Sequence, residues 1–496
     1  MFNKNLLLFL FTFTIAHTNA QELHYFSGSK IEEFDPSTFQ LYSQDSSTIY
    51  AFRFNSNDYF LEGYDKATLT RLFHIRTPLP AKDSLKYHFE SLLPLNDSFL
   101  VLYSYFNKRN LREQLEMVTF DKNGNTLNNG KMVDFSEGKN EKHAGNFSVI
   151  PRKNMNEFLA FGTKIFQDTT FVTINHFDYF GNRTRSQKFS LDDESGNIVH
   201  SLIDKECNLY HLTRSKMGDR NVKWNVIIYT PDSDQPVKIT LQKPLSNNIY
   251  LSNFIDSYID LHNRINIIVP YATQTPAYNA NGIYLAQIDS KTKSLISESI
   301  IPFKIDSGNV NEDDGFILSA CINVGIIPMK NDGLKLVYES RRATTTYLYG
   351  IPVGTDFDLG NIITIDTDSN HVVTDLHKIK KQQYSNKTNS AFLGLAILSH
   401  ANKSYFIYNE LEENLNKTPD QMKRVNTSRM EKTNVIYTVV ENGKVLRKPI
   451  IKKENKKDTD AIMLSTFLHS NNGDELYLPR KINQQVFLTK FYFTEN

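Results

Sequence analysis

MVTFDKNGNTLNNGKMVDF, Met117 to Phe135, reads as a strand, a tight polar turn and a second strand. Fifty-seven residues further on stands INHFDYFGNRTRSQKFSL, Ile174 to Leu191, with Phe-Asp and Gly-Asn in the same places. Asp and Asn tolerate the left-handed backbone conformation and bond their own main chain, and Gly takes positive φ freely. An apolar residue, an acid and a turn recur at Tyr64-Asp65, Phe120-Asp121, Phe177-Asp178, Ile288-Asp289, Ile365-Asp366 and Val440-Glu441. A variant turn, Tyr229 to Asp232, fills the gap between the third and fourth, and the final strand, Gln485 to Phe493, completes the series. The spacings are 56, 57, 52, 59, 77, 75 and 53 residues. The hairpin is a repeat.

A second polar turn precedes each of these strands, as in PLNDSFLVLY, IDKECNLYHL and HSNNGDELYL. Each unit therefore holds an inner strand A, a turn, strand B, a connection, strand C, the acid-bearing turn and strand D. Four antiparallel strands at this period are the mark of a β-propeller blade. Two β-sandwiches would not repeat one hairpin across the whole chain, and a solenoid would need shorter repeats. The expected fold is all-β, a single propeller of eight blades, with seven the alternative count if the first unit is irregular. The blades are placed at about 36–78, 86–135, 143–191, 197–242, 248–303, 315–383, 389–453 and 460–493. The last unit supplies A, B and C and then stops, so residues 21–27 are expected to close the ring as its strand D.

The chain opens with Lys4, an apolar run from Leu6 to Ala16, and Thr18-Asn19-Ala20 ahead of Gln21. That order reads as a secretory signal peptide over 1–20, too short for a spanning helix. The mature chain is expected to be exported, to the periplasm, the cell surface or the medium, and to be a monomer without a membrane span. Fifty-six basic and 55 acidic residues cancel to a formal charge of +1, which does not call for nucleic acid. Aromatics make up 12% of the chain and suit half-buried pleated surfaces. Cys207 and Cys321 fall in different blades and read as small buried hydrophobes rather than a bridge. Seven N-x-[ST] sequons are unremarkable in so Asn-rich a chain.

The signal peptide, the FDxxGN hairpins and KSYFIYNELEENLNK (Lys403 to Lys417) together resemble secreted, propeller-like proteins of Bacteroidetes-type bacteria. Those proteins largely lack an assigned activity. The resemblance implies the fold and the compartment and adds no catalytic residue.

No zinc, phosphate-loop or nucleophile-elbow motif is present, and no cofactor or metal is expected. Asp121, Asn123 and Asn125 imitate the start of a calcium loop, but Met132 stands where a bidentate Glu belongs. The connections from B to C are long in three consecutive blades: Pro270 to Gly282, Arg341 to Gly360, and Glu410 to Lys432, where Thr418-Pro419-Asp420 reads as a helix start. They carry Tyr271, Tyr278, Arg341, Arg342, Tyr347, Tyr349, Arg424 and Arg429, and Trp224 lies in the matching region of blade four. Aromatic and Arg enrichment suits contact with a protein, peptide or glycan. A non-enzymatic binding scaffold is the expected function. The alternatives are a channel-site hydrolase or lyase using Glu90, His143, His200 and Asp256 on successive inner strands, and a structural component of the cell envelope.

Overall fold

The computed structural model describes residues 23–494 apart from connecting segments, the longest being 77–86, 139–145, 273–280, 303–320 and 452–457. Eight antiparallel sheets follow one another along the chain. Seven cover 39–76, 87–137, 146–191, 197–241, 250–302, 321–379 and 396–449, and the eighth joins 460–493 to Leu23–Lys30. In blade two, strands A to D are Tyr87–Pro94, Ser98–Asn107, Arg112–Asp121 and Thr126–Glu137, paired in chain order. The first unit is a regular four-stranded blade, so the count is eight. Among the described residues the α-helical content is one turn, Lys243–Ser246, and no helix is long and apolar enough to cross a membrane.

The repeated dipeptide has two separate physical tasks. Its apolar member is buried between blades: Tyr64, Phe120, Phe177, Tyr229, Ile288 and Ile365 are all within 1% of full burial. Phe99 stacks on Phe120 with ring centroids 5.2 Å apart, and Phe158 repeats that contact on Phe177 one blade later at 5.2 Å. Its acid ties the turn. Asp121 Oδ1 accepts from the Asn123 and Asn125 amides at 2.9 and 2.8 Å, and Asn125 Nδ2 donates to Oδ2 at 2.8 Å. Asp178 does the same with Phe180 and Asn182. The Asn125 side chain and these amides hold the Asp121 carboxyl below the ordinary carboxylate range.

The turn glycines also bring blades together. Gly124 and Gly181 have φ of +85° and +74°. A Cβ on Gly124 would stand 2.8 Å from Ile75 Cγ2, and one on Gly181 2.7 Å from Val133 Cγ1. Ile75 and Val133 belong to strand D of the preceding blade, so each turn is laid against its neighbour. In blade six the tying acid differs from expectation. Asp366 is still on strand C, paired with Lys335 at 2.6 Å, and Asp368 closes the turn by accepting from the Asn370 and Val372 amides.

Apolar clusters fill the spaces between consecutive blades all the way round. One joins Tyr50, Leu61 and Phe73 of blade one to Phe99, Val101 and Phe120 of blade two. The last joins Phe39, Leu41 and Tyr64 of blade one to Tyr477, Val486 and Leu488 of blade eight. Closure is by Leu23–Lys30, antiparallel to strand C of blade eight from Leu23↔Phe493 to Ser27↔Thr489, with a register shift before Lys30↔Phe487. Arg480 pins this seam. Its guanidinium holds buried Asp460 through two bonds of 2.7 and 2.6 Å, donates to Ser27 Oγ at 3.1 Å, and lies 4.7 Å from the Tyr25 ring. At Gly28 a Cβ would fall 2.2 Å from Leu69 Cβ, so the closing strand passes blade one with no room for a side chain.

Cys207 is buried in the A–B turn of blade four, and Cys321 begins strand A of blade six, with blade five between them. The signal-peptide residues lie outside the described residues.

Deleting Gln21 to Ser27 should expose the edge of Gln485–Phe493 and leave Arg480 with half its partners. The expected outcome is a lowered melting temperature with self-association on size exclusion. A deletion variant that stays monomeric with unchanged thermal stability would remove strand closure as the source of ring integrity.

Candidate functional site

Blade six departs from the common plan. Its strand B is Leu334–Leu348 and its strand C Ile351–Thr367, 15 and 17 residues long, where blade two uses 10 and 10. Only the lower halves belong to the blade: strand A pairs with Leu334 to Ser340, and strand D with Ile362 to Thr367. The upper halves continue as a two-stranded arm paired from Arg341↔Leu359 to Leu348↔Ile351, with a register shift between Thr346 and Tyr347. The stretch expected as a loop over 341–360 is therefore strand for nearly its whole length. Its run of Thr, Tyr, Ile and Val explains this, since such residues fit a pleated ribbon.

Two neighbouring segments are zipped onto the arm. Gln383–Asn386, from the connection between blades six and seven, pairs antiparallel with Asp356 to Leu359. Val425–Asn426, from the B–C insertion of blade seven, pairs parallel with Gln383 and Tyr384. The result is a second small sheet standing on the face that carries the B–C and D–A connections. Arg424 fastens it, 2.6 Å from Asp358 and 4.3 Å over the Tyr384 ring. Thr418-Pro419-Asp420 opens only a single tight turn, Pro419–Gln421, with no side-chain cap.

Beneath this sheet lies a buried polar network. Lys381 is fully buried and pairs with the buried Glu339, with its ammonium 5.8 Å from the Tyr408 ring. Burial pulls the Lys381 ammonium below its ordinary pKa, and Glu339 opposes that pull. Buried Glu410 is pushed upward by desolvation, while Asn414 Nδ2 donates to its Oε1 at 2.8 Å. Asn414 also closes the insertion of blade seven, donating to the Lys423 carbonyl at 2.6 Å and accepting from its amide at 2.9 Å. Gln383 Nε2 donates to the Asn409 carbonyl at 2.9 Å, and Asn409 bonds Ile462 of blade eight in both directions. Phe392 and Met430 from the same two insertions join the apolar cluster of blades eight and one. The arm thus rests on a base shared by several blades.

The expected binding residues divide. Arg341 and Arg342 are exposed on the arm, Arg341 lying 5.6 Å from the Phe357 ring. Arg429 is exposed in the blade-seven insertion and Arg424 is held as described. The backbone of Tyr347 lies near the arm's tip, while Tyr278 and Tyr349 lie outside the described residues. Trp224 and Tyr271 do not belong to any surface. At 3% and 4% exposure they sit in the apolar cluster between blades four and five, because strands B and C there run further than the turn signals suggested. Gln383, Lys381, Asn409 and Asn414 escaped sequence reading. Lys381, Gln383 and Asn414 stand in polar connections and Asn409 near the end of strand B of blade seven, and none carries a local pattern that distinguishes burial.

Three of the four channel candidates lie among the described residues. The Glu90 carboxylate turns onto its own blade, where Ser104 Oγ donates to it at 2.6 Å, and burial raises its pKa. His200 Nε2 is 2.8 Å from Ser257 Oγ of the next blade, and burial keeps the imidazole pKa low. Asp256, beside Ser257, is pushed up to about 6 by desolvation. His143 lies outside the described residues. Among the described residues no three His, Cys, Asp or Glu side chains come together as metal ligands.

No family model matches the chain, and no curated protein matches it. Solved structures similar to it include the WD40 domain of SCAP from fission yeast, at 8% identity over 95% of this chain and 98% of that one, TM-score 0.43. The polysaccharide lyase Uly1 is similar at 9% identity over 96% and 98%, TM-score 0.37. A protein of unknown function from Dyadobacter fermentans is similar at 7% over 83% and 96%, TM-score 0.31. These likenesses bear on no activity.

Two outcomes follow from the buried charges. Replacing Lys381 by Met should cost about 3–5 kcal/mol, because the Glu339 carboxylate is left buried without its counter-charge. Adding Glu339→Gln should recover most of that loss in urea melts; strictly additive losses would show that the pair is not coupled. For Asp256 the folded pKa stands near 6 against 3.8. Its contribution to stability therefore falls as pH rises from about 4 to 6 and stays low above. Asp256→Asn should gain about 1–2 kcal/mol at pH ~8, discounted for partial exposure, with the gain shrinking towards pH ~4. A gain independent of pH would contradict the assignment.

Proposed function

We propose that this protein is an exported, non-enzymatic binding scaffold that recognises a protein, peptide or glycan through the rim sheet of blades six and seven. One observation carries the reading: a projecting two-stranded arm braced by two other insertions above a buried network. Sites built on braced strands hold their contact groups more rigidly than free loops do. Export rests on the signal-peptide pattern of residues 1–20, and an origin among Bacteroidetes-type bacteria on the resemblance of the hairpins. Arg341, Arg342 and Arg429 supply exposed planar donors suited to carboxylates and sugar hydroxyls.

Replacing 345–355 by Asn-Gly joins Thr344 to its cross-strand partner Asp356 and leaves the pairing of Asp356 to Leu359 with Gln383–Asn386 intact. On glycan arrays and peptide libraries the mature chain should bind a defined class, and the shortened variant should bind it more weakly, with the remainder lost when Arg341, Arg342 and Arg429 are also replaced by Ala. Its melting temperature should stay within a few degrees of the parent. Binding unchanged by the shortening and by replacement of the three arginines would remove the rim as the recognition face.

A further inference from the structure

The C–D turn of blade six places a histidine where the matching turns of blades two and three place glycine. Gly124 and Gly181 stand at positive φ and donate their amides to the carbonyls of Asp121 and Asp178. His371 closes its turn the same way, donating to the Asp368 carbonyl at 3.0 Å with φ of +61°. A residue with a Cβ persists in that region only where its surroundings fix it. The ring is taken inward, and His371 is 6% exposed.

The imidazole lines a cavity of about 20 Å³ at the seam between blades five and six. Blade five faces it with Asp260, His262, Arg264 and Asn266, and blade six with the A–B turn that ends at Leu334. Leu334 also belongs to the apolar cluster joining the two blades, so the cavity borders their shared core. Among the described residues, neither Nδ1 nor Nε2 of His371 has a hydrogen-bond partner. The space admits about one water, which serves one edge of the ring.

A neutral imidazole needs one donor and one acceptor, whereas an imidazolium needs two acceptors. The acceptors facing it are already engaged. Asp260 Oδ1 accepts from the His262 and Arg264 amides at 2.8 and 2.9 Å, and its Oδ2 accepts from Arg264 Nε at 2.5 Å. Asp368 Oδ1 is held by the Asn370 and Val372 amides, and Asn266 Oδ1 by Gln287 Nε2. Lys335 and Asp366, on the strands beside the turn, pair with each other. His262 is exposed, and Lys330 and Asp332 lie outside the described residues. Burial and the Arg264 guanidinium hold the His371 imidazole below its ordinary pKa, against the pull of Asp368 and Asp260.

We propose that His371 makes the seam between blades five and six acid-labile: neutral, it seals the space beside the C–D turn of blade six, and protonated, it frees that turn from blade five. A second cation beside Arg264 finds its acceptors taken, so the turn opens and brings the ring to water. An unfolded histidine takes up its proton as pH falls below about 6.5, while folded His371 resists it. The seam is therefore at full strength above that value and weakens as pH falls from it to the lower folded value. This response belongs to the ring and is independent of the rim reading.

The mature chain, isotope-labelled at its histidine rings, is titrated by NMR. The His371 signal is the one lost in His371→Asn, since Asn accepts the left-handed turn and does not titrate. Hydrogen exchange, corrected for intrinsic rates, is compared at pH ~7.5 and pH ~5 in the segments around Arg264 and His371. Expected is a His371 midpoint below 6.5. On acidification, protection in both segments should fall at least about threefold in the parent and hold in His371→Asn. Should the Asn variant misfold, His371→Gly, the residue of the matching turns, replaces it in the comparison. A midpoint at or above 6.5 overturns the proposal. Equal loss of protection in parent and variant overturns it too, assigning the acid response to other groups. Protection unchanged by acid in the parent leaves His371 a buried spacer only, and the proposal falls.

Discussion

Every blade has two apolar faces, and a four-stranded sheet cannot bury both by itself. This constraint governs the rest of the structure. Phe120 is covered only because Phe73 and Phe99 come from either side of the same interface, and Tyr477 only because Phe39 and Tyr64 return to it from the other end of the chain. Burying one such ring is worth about 2–3 kcal/mol. A row of interfaces of this kind propagates stability from blade to blade but would stop at an open end. The Leu23–Lys30 strand removes that end, and the buried Arg480–Asp460 pair fixes where it docks. Closure is thus a condition of each interface being complete, not an ornament on a finished ring.

What could be read from the sequence follows from which forces act locally. The Phe-Asp hairpins were legible because the turn and the buried ring are specified within a few residues, by an acid tying its own backbone and by a glycine at positive φ. The eightfold count and the N-terminal closing strand follow from repeating that unit. Blade six shows where local reading slips: Ile365-Asp366 matches the motif, yet Asp366 pairs with Lys335 and the turn is tied two residues later by Asp368. Trp224 and Tyr271 show the other limit. Aromatic residues near a connection look available until the neighbouring blade is in place, and then they are core. At 341–360 the sequence marks an insertion but not a ribbon, since its strands find their bracing in Gln383–Asn386 and Val425–Asn426, further along the chain.

The polar base under the arm has a different kind of cost. Lys381 and Glu339 give up hydration in a place where apolar side chains would have packed well, and such a pair adds little net stability. What it supplies is discrimination between arrangements. Lys381 reaches Glu339 only when the connection after blade six is seated against strand B of that blade, and Gln383 and Asn409 have their partners only when that connection, strand B of blade seven and strand A of blade eight are in one register. A slip by one residue would bury several unpaired groups at about 1–3 kcal/mol each. The network therefore penalises misplacement of the arm far more than it rewards correct placement.

That asymmetry connects the ring to its rim. A ribbon projecting into solvent has few apolar contacts of its own, and its direction would ordinarily be soft. Here the direction is set below, by groups that tolerate one geometry, and beside, by Arg424 bridging Asp358 and Tyr384. The ordering of the arm is accomplished on folding, before any ligand arrives. The arm then presents Arg341 and Arg342, both exposed, at its root. Binding there would not have to supply the entropy of organising the site, which is the condition under which a small rim surface can still be selective.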